Sequence, residues 1–173
     1  INHYYFKYMN VFKVSNKIFL NHSVDIVWDV VSSKNALELY HPFCLKNDVI
    51  EYKKKDELIY LNGLTYIREF STWQHNKGFE LYIGKKNGKQ SKVLWELKSI
   101  KNGCEIQISI FPYRTNKIAK LIYPFVSLFV IKPKLKIYLE SVLKGLEYYL
   151  DHELKVEKNQ FGTHPWFSEK ISF

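Results

Sequence analysis

Methionine occurs once in the 173 residues, and arginine and cysteine twice each. Each scarcity excludes something. Two isolated thiols, Cys44 and Cys104, cannot build a disulfide framework. His41 and Cys44 have the spacing of half a zinc site, but Cys104 has no His or Cys near it, so no metal is expected. Seven glycines and five prolines rule out collagen-like or linker-rich sequence. The longest apolar run, 121–131 between Lys120 and Lys132, is shorter than the ~20 residues a membrane-spanning helix needs. Residues 1–10 lack a basic segment followed by an apolar one, so a cytoplasmic location is expected.

The shortage of arginine also bears on charge. Lys and Arg total 26 against 17 Asp and Glu, a formal net charge of +9. Such a balance invites nucleic acid or an anionic membrane as partner. Arginine is the residue that reads base edges and clamps phosphates in two-pronged fashion, and only Arg68 and Arg114 are present. The lysines are spread along the chain, so no nucleic acid is expected. A weak contact with a membrane surface stays open through 121–131, whose apolar residues are flanked by lysines.

What the chain holds in excess is aromatic: thirteen Tyr and twelve Phe in a composition 46% apolar. That suits large apolar surfaces in one core, one pocket or both. One domain over 11–152 is expected, with an extension at 1–10 and a tail at 153–173 packing on it.

The order of patterns is informative. Residues 12–20 alternate loosely and favour a strand. Asn21-His22-Ser23 reads as a turn with a helix cap, and Val24, Val27, Trp28 and Val31 share one helical face. A second short helix from Asn35 stops near Tyr40, since Pro42 pushes its predecessor out of helical geometry. Strand-like segments follow at 45–52, 57–61, 64–74, 79–84, 91–101 and 104–111. Residues 53–56 read as a break, and hairpin turns are expected at Asn62-Gly63 and Asn102-Gly103. Cys104, Ile106, Ile108 and Ile110 share one face of their strand, and Glu105, Gln107 and Ser109 the other. Segment 64–74 has no clean phase. After Pro133, Leu135, Tyr138, Leu139, Val142, Leu143, Leu146, Tyr149 and Leu150 follow helical spacing.

An α+β architecture follows: a strand, two short helices, a meander completing about seven antiparallel strands, and a long C-terminal helix. This order resembles the helix-grip fold of the START-like superfamily, which includes polyketide-cyclase-like and birch-pollen-allergen-like proteins. The run Asn21 to Ser33, containing Val27-Trp28, is similar to the segment that follows the first strand in that superfamily. Asn35 to Cys44 resembles the second-helix segment of bacterial members, and Tyr138 to Tyr149 the final helix of polyketide-cyclase-like ones. The closing Asn159 to Ser168 is similar to a tail found in one bacterial branch.

The resemblance implies a curved sheet gripping the last helix around a cavity, and a hydrophobic ligand such as a lipid, quinone or polyketide. It implies neither a cofactor nor a catalytic motif. A cyclase or dehydratase activity, or a module contacting a membrane or a protein partner, is the alternative. The candidate ligand-binding residues are Trp28, His41, Phe43, Tyr66, Arg68, Trp95, Ile108, Phe125, Tyr138, Leu139 and Val142. Of Arg68 and Glu69 only one can point inward; an inward Arg68 would grip a ligand carboxylate, and an outward one would join a cross-strand pair. His41 would donate to a ligand or act as a base, unless it caps a helix end. Residues 121–131 would complete the core, gate the cavity or touch a membrane. Pro165, Trp166 and Phe167 read as a clasp that packs the tail on the domain.

Overall fold

The computed structural model describes residues 12–114, 117–119 and 121–169. The extension at 1–10 and Lys120 lie outside the described residues. Seven strands form one antiparallel curved sheet: β1 (Val14–Leu20), β2 (Cys44–Glu51), β3 (Lys55–Tyr60), β4 (Thr65–Gln74), β5 (Gly78–Gly84), β6 (Gln90–Ile100) and β7 (Gly103–Phe111). Their order is β1-β7-β6-β5-β4-β3-β2. Strands β2 to β7 are a meander, and β1 closes the β7 edge. Helices α1 (Val24–Val31) and α2 (Leu37–Tyr40) therefore carry the chain from one edge of the sheet to the other.

Local chemistry places these elements. Ser23 caps α1 by accepting from the Ile26 amide, and Asp25 sits in the positive first turn. The inner face of β7 carries Cys104, Ile106, Ile108 and Ile110, all buried. The unclear phase of 64–74 has a physical cause. Phe70 pairs with Leu81 and Thr72 with Glu80, so a bulge at Ser71 shifts the alternation by one residue. Phe70 and Trp73 thereby reach the same aromatic cluster, where Trp73 stacks on Phe79 at 5.1 Å and Phe79 on Trp95 at 5.4 Å.

Two expectations are corrected at turns. The β6–β7 hairpin turns on Lys101-Asn102, because Ile100 pairs with Gly103. Gly103 is needed as the first strand residue: at φ 152° a β-carbon there would lie 1.9 Å from the Leu20 carbonyl oxygen. Asp56, read as part of a break, belongs to β3 and is buried on the same phase as Leu58 and Tyr60.

The last helix also differs from expectation. It does not begin afresh at Pro133. Helix α3 (Tyr123–Val126) runs through a π turn (Ser127–Ile131) into α4 (Lys132–His152). A proline amide cannot join the helical ladder, and the wider turn just before Pro133 lets the rod continue past it. Helix α4 buries Leu135, Leu139, Val142, Leu143, Leu146 and Leu150 and packs most closely on β1.

Candidate functional site

Because α4 docks on the β1 edge, its face stands away from the middle of the sheet. A cavity of about 350 Å³ lies between them. That is within the ~300–1,000 Å³ range of small-molecule sites. Leu58, Leu81, Val93, Trp95, Ile108 and Ile110 line it from the sheet. Leu135, Tyr138, Leu139 and Val142 line it from α4, and Trp166 and Phe167 from the tail. Among the described lining residues Arg68 is the one with a formal charge.

His41, Tyr60 and Tyr138 gather at one end, within reach of the Arg68 charge. The contact between α2 and α4 brings them together. Gly145 faces Tyr40 so closely that a β-carbon would come within 2.0 Å of the Tyr40 carbonyl oxygen. Two helical turns earlier on the same face is Tyr138, and just after Tyr40 is His41. His41 Nε2 lies 2.9 Å from the Tyr138 hydroxyl. The Phe43 amide donates to His41 Nδ1 at 3.2 Å, so the ring proton belongs on Nε2 and is donated to Tyr138. The Tyr138 hydroxyl is 3.3 Å from that of Tyr60. Tyr60 in turn stacks on Phe167 at 4.2 Å.

Arg68 points inward and is already paired. Its Nε and Nη2 donate to the two carboxylate oxygens of Asp56 at 2.7 and 2.6 Å. The two residues face each other directly in the β3–β4 register. They are only 8% and 5% exposed. The sequence alternatives thus merge: Arg68 lines the cavity and also makes a cross-strand pair, a buried one.

Burial sets the proton affinities. It drives His41 from 6.5 to about 3, helped by the Arg68 charge, so the ring is neutral. Burial raises the Tyr138 hydroxyl to about 12, and pushes Tyr60 well above the usual tyrosine value. Burial works against the Arg68 charge, but the Asp56 carboxylate outweighs it and the guanidinium stays protonated. Cys44 is also raised to about 12, mainly by burial. Among the described residues no cluster of His, Cys, Asp or Glu could hold a metal ion.

His41, Tyr66, Arg68, Trp95, Ile108, Tyr138, Leu139 and Val142 line the cavity. Three other candidates do not. Trp28 packs edge-on to Trp73 at 5.8 Å, in the core beneath α1. Phe43 is fully buried behind Tyr138, stacked at 6.0 Å. Phe125 faces outward and is 64% exposed.

The core-completing reading of 121–131 fails with it. Leu121, Ile122, Leu128, Phe129 and Val130 are exposed too, and this part of the rod packs mainly on its own helical neighbours rather than on a strand. Only Tyr123 and Ile131 of the stretch turn to the cavity. No helix among the described residues is long and apolar enough to cross a membrane.

Sequence reasoning missed Asp56, Tyr60 and the place of Trp166 and Phe167 in the cavity wall, having read the tail only as a clasp. Period-2 phase signalled the first two, since Asp56, Leu58 and Tyr60 are buried in alternation with half-buried positions. In the tail, the Trp166 amide donates to His164 Nδ1 at 3.2 Å, which leaves His164 Nε2 to donate to the Lys134 carbonyl at 3.0 Å. These bonds tie the tail to the start of α4.

No protein-family model matches the chain. No curated protein matches it either. Solved structures do match in shape. A START superfamily protein from Mycobacterium smegmatis superposes with a TM-score of 0.63 at 12% identity, over 82% of this chain and 98% of that one. A protein of unknown function from Staphylococcus aureus, SA2116, gives 0.67 at 10% identity, over 82% and 94%. DynU16, from the dynemicin biosynthetic locus, gives 0.64 at 14% identity over 83% of this chain; the match spans 49% of DynU16. The chain has the START-like helix-grip fold.

Proposed function

We propose that the chain binds a small hydrophobic molecule in the cavity between the sheet and α4. The observation that carries this reading is the hollow itself. Its walls are mainly aliphatic and aromatic. Removing apolar surface from water contributes about 25 cal/mol per Å², so a ligand hiding 100 Å² gains roughly 2.5 kcal/mol without any reaction. A lipid tail, a quinone or a polyketide-like molecule fits such walls.

The test is titration with the apolar dye phenylnaphthylamine, whose fluorescence rises in a dry site. The unaltered chain should bind it in a saturable way. Ile108→Trp fills the cavity from the sheet side and should abolish the signal while the protein stays folded. Equal fluorescence from both proteins would refute the cavity as the site.

A cyclase- or dehydratase-like enzyme is the second reading. It is supported by the convergence of His41, Tyr60 and Tyr138 on the cavity. It is the weaker one because a histidine held near 3 and a tyrosine near 12 are poorly matched to proton transfer at neutral pH. The exposed apolar face at 121–131 supports a further role, contact with an anionic membrane surface.

A further inference from the structure

The polar end of the cavity is short of acceptors. A guanidinium has five donor hydrogens in a planar fork. Asp56 takes two of them, from Nε and Nη2, which occupies one side of the fork. Among the described residues nothing accepts from Nη1, and Arg68 lines the cavity. The tyrosines lead to the same count. His41 Nε2, Tyr138 and Tyr60 carry three protons between them, and two hydrogen bonds join them. Whichever way the tyrosine–tyrosine bond runs, one hydroxyl proton has no acceptor in the chain of three. Both tyrosines line the cavity. Surplus donors thus meet a space with no lining carboxylate.

Charge is already balanced there. Asp56 supplies the carboxylate that an inward arginine would otherwise seek from a ligand. A second buried carboxylate would give the site a net negative charge, and burying an uncompensated charge is costly. A neutral oxygen acceptor meets the free donors and adds no charge.

Resting on the hydrophobic-ligand reading above, we propose that Asp56 makes the cavity selective for neutral carbonyl compounds. The ligand is an apolar molecule bearing a ketone, ester or quinone oxygen, which sits against Arg68, Tyr60 and Tyr138. Free acids are rejected because the internal carboxylate holds the place theirs would take.

The test compares acetylnaphthalene with naphthoate, which share a ring system and differ in the charge of the polar group. Each is titrated against the dye-loaded full chain at neutral pH. The ketone should displace the dye at about tenfold lower concentration, the effect of roughly 1.4 kcal/mol. Its infrared carbonyl band should lie at lower wavenumber in the protein than in hexane, because a donor pulls on the oxygen. In Asp56→Asn the order should shift towards naphthoate, since Arg68 then has a full charge to offer.

A wild-type site that takes naphthoate as well as the ketone would overturn the inference and leave the cavity reading standing. So would a bound ketone whose band stays at its hexane position, or a dye that no ketone displaces. Failure of the dye itself to bind removes both readings. If Asp56→Asn does not fold, the infrared band in the unaltered protein decides.

Discussion

The rod formed by α3, the π turn and α4 has two ends that behave differently. At the α4 end every Leu and Val is buried, and Gly145 lets a backbone carbonyl touch the helix. At the α3 end Ser127 is the one buried residue among those described, while Phe125 and Phe129 are 64% and 70% exposed. The α3 end is the more apolar of the two in sequence. What separates them is whether the sheet lies underneath. Hydrophobicity alone therefore does not define the core; an apolar helix face is buried only as far as its partner extends. The polar end of the cavity belongs to the buried end, where each group is held by several neighbours.

The sharpest way to break this comparison is to unbalance the buried end. Arg68→Met leaves Asp56 as a buried, unpaired carboxylate and should cost about 3–5 kcal/mol. Adding Asp56→Leu removes the stranded charge and should restore most of that loss. Urea unfolding of the two variants measures both, and equal losses in both would mean that packing, not charge, dominates.

Gly145→Ala sets two effects against each other. Alanine favours the helix by about 1 kcal/mol. The contact at 2.0 Å forces α2 away, and overpacking of this kind costs about 1–3 kcal/mol. A net loss of stability is expected in thermal unfolding, together with a weaker His41–Tyr138 bond; a gain would show that α2 yields freely.

The pH response is smaller per step. An unfolded chain protonates histidine below 6.5, while folded His41 resists until about 3. The unfolded state thus binds the extra proton in that window, and stability falls as pH drops through it. The unaltered protein should lose about 1.4 kcal/mol more per pH unit there than His41→Gln. His164, whose affinity burial also lowers, contributes to the slope of both proteins. Parallel curves would place a charged His41 in the fold.

At the exposed end, Phe125→Ser with Phe129→Ser should change stability by no more than about 0.5 kcal/mol per residue. If the face meets membranes, the same pair should abolish flotation with anionic vesicles at low salt. A large loss of stability would put this stretch in the core after all.

The contrast also accounts for what could be read in the sequence. The meander, the capped first helix and α4 follow from turn residues and apolar spacing, which are local signals. So does the inward phase of Ile108, Tyr138 and Val142. The Asp56–Arg68 pair was hidden because it depends on strand register across a turn, and Asp56 stands beside three lysines that look like a loop. The Ser71 bulge erased the phase of β4. Phe125 was misplaced because spacing identifies an apolar face without saying where its cover ends. Gly145 gave no sign of its role, since a helix–helix approach leaves no periodic trace.

Native mass spectrometry of the purified chain, with and without an added ketone probe, tests the binding claim most directly. A population carrying one small apolar molecule, lost in Ile108→Trp, is the expected result. A chain that shows its bare mass under every condition, or that carries the same adduct after the cavity is filled, would contradict it.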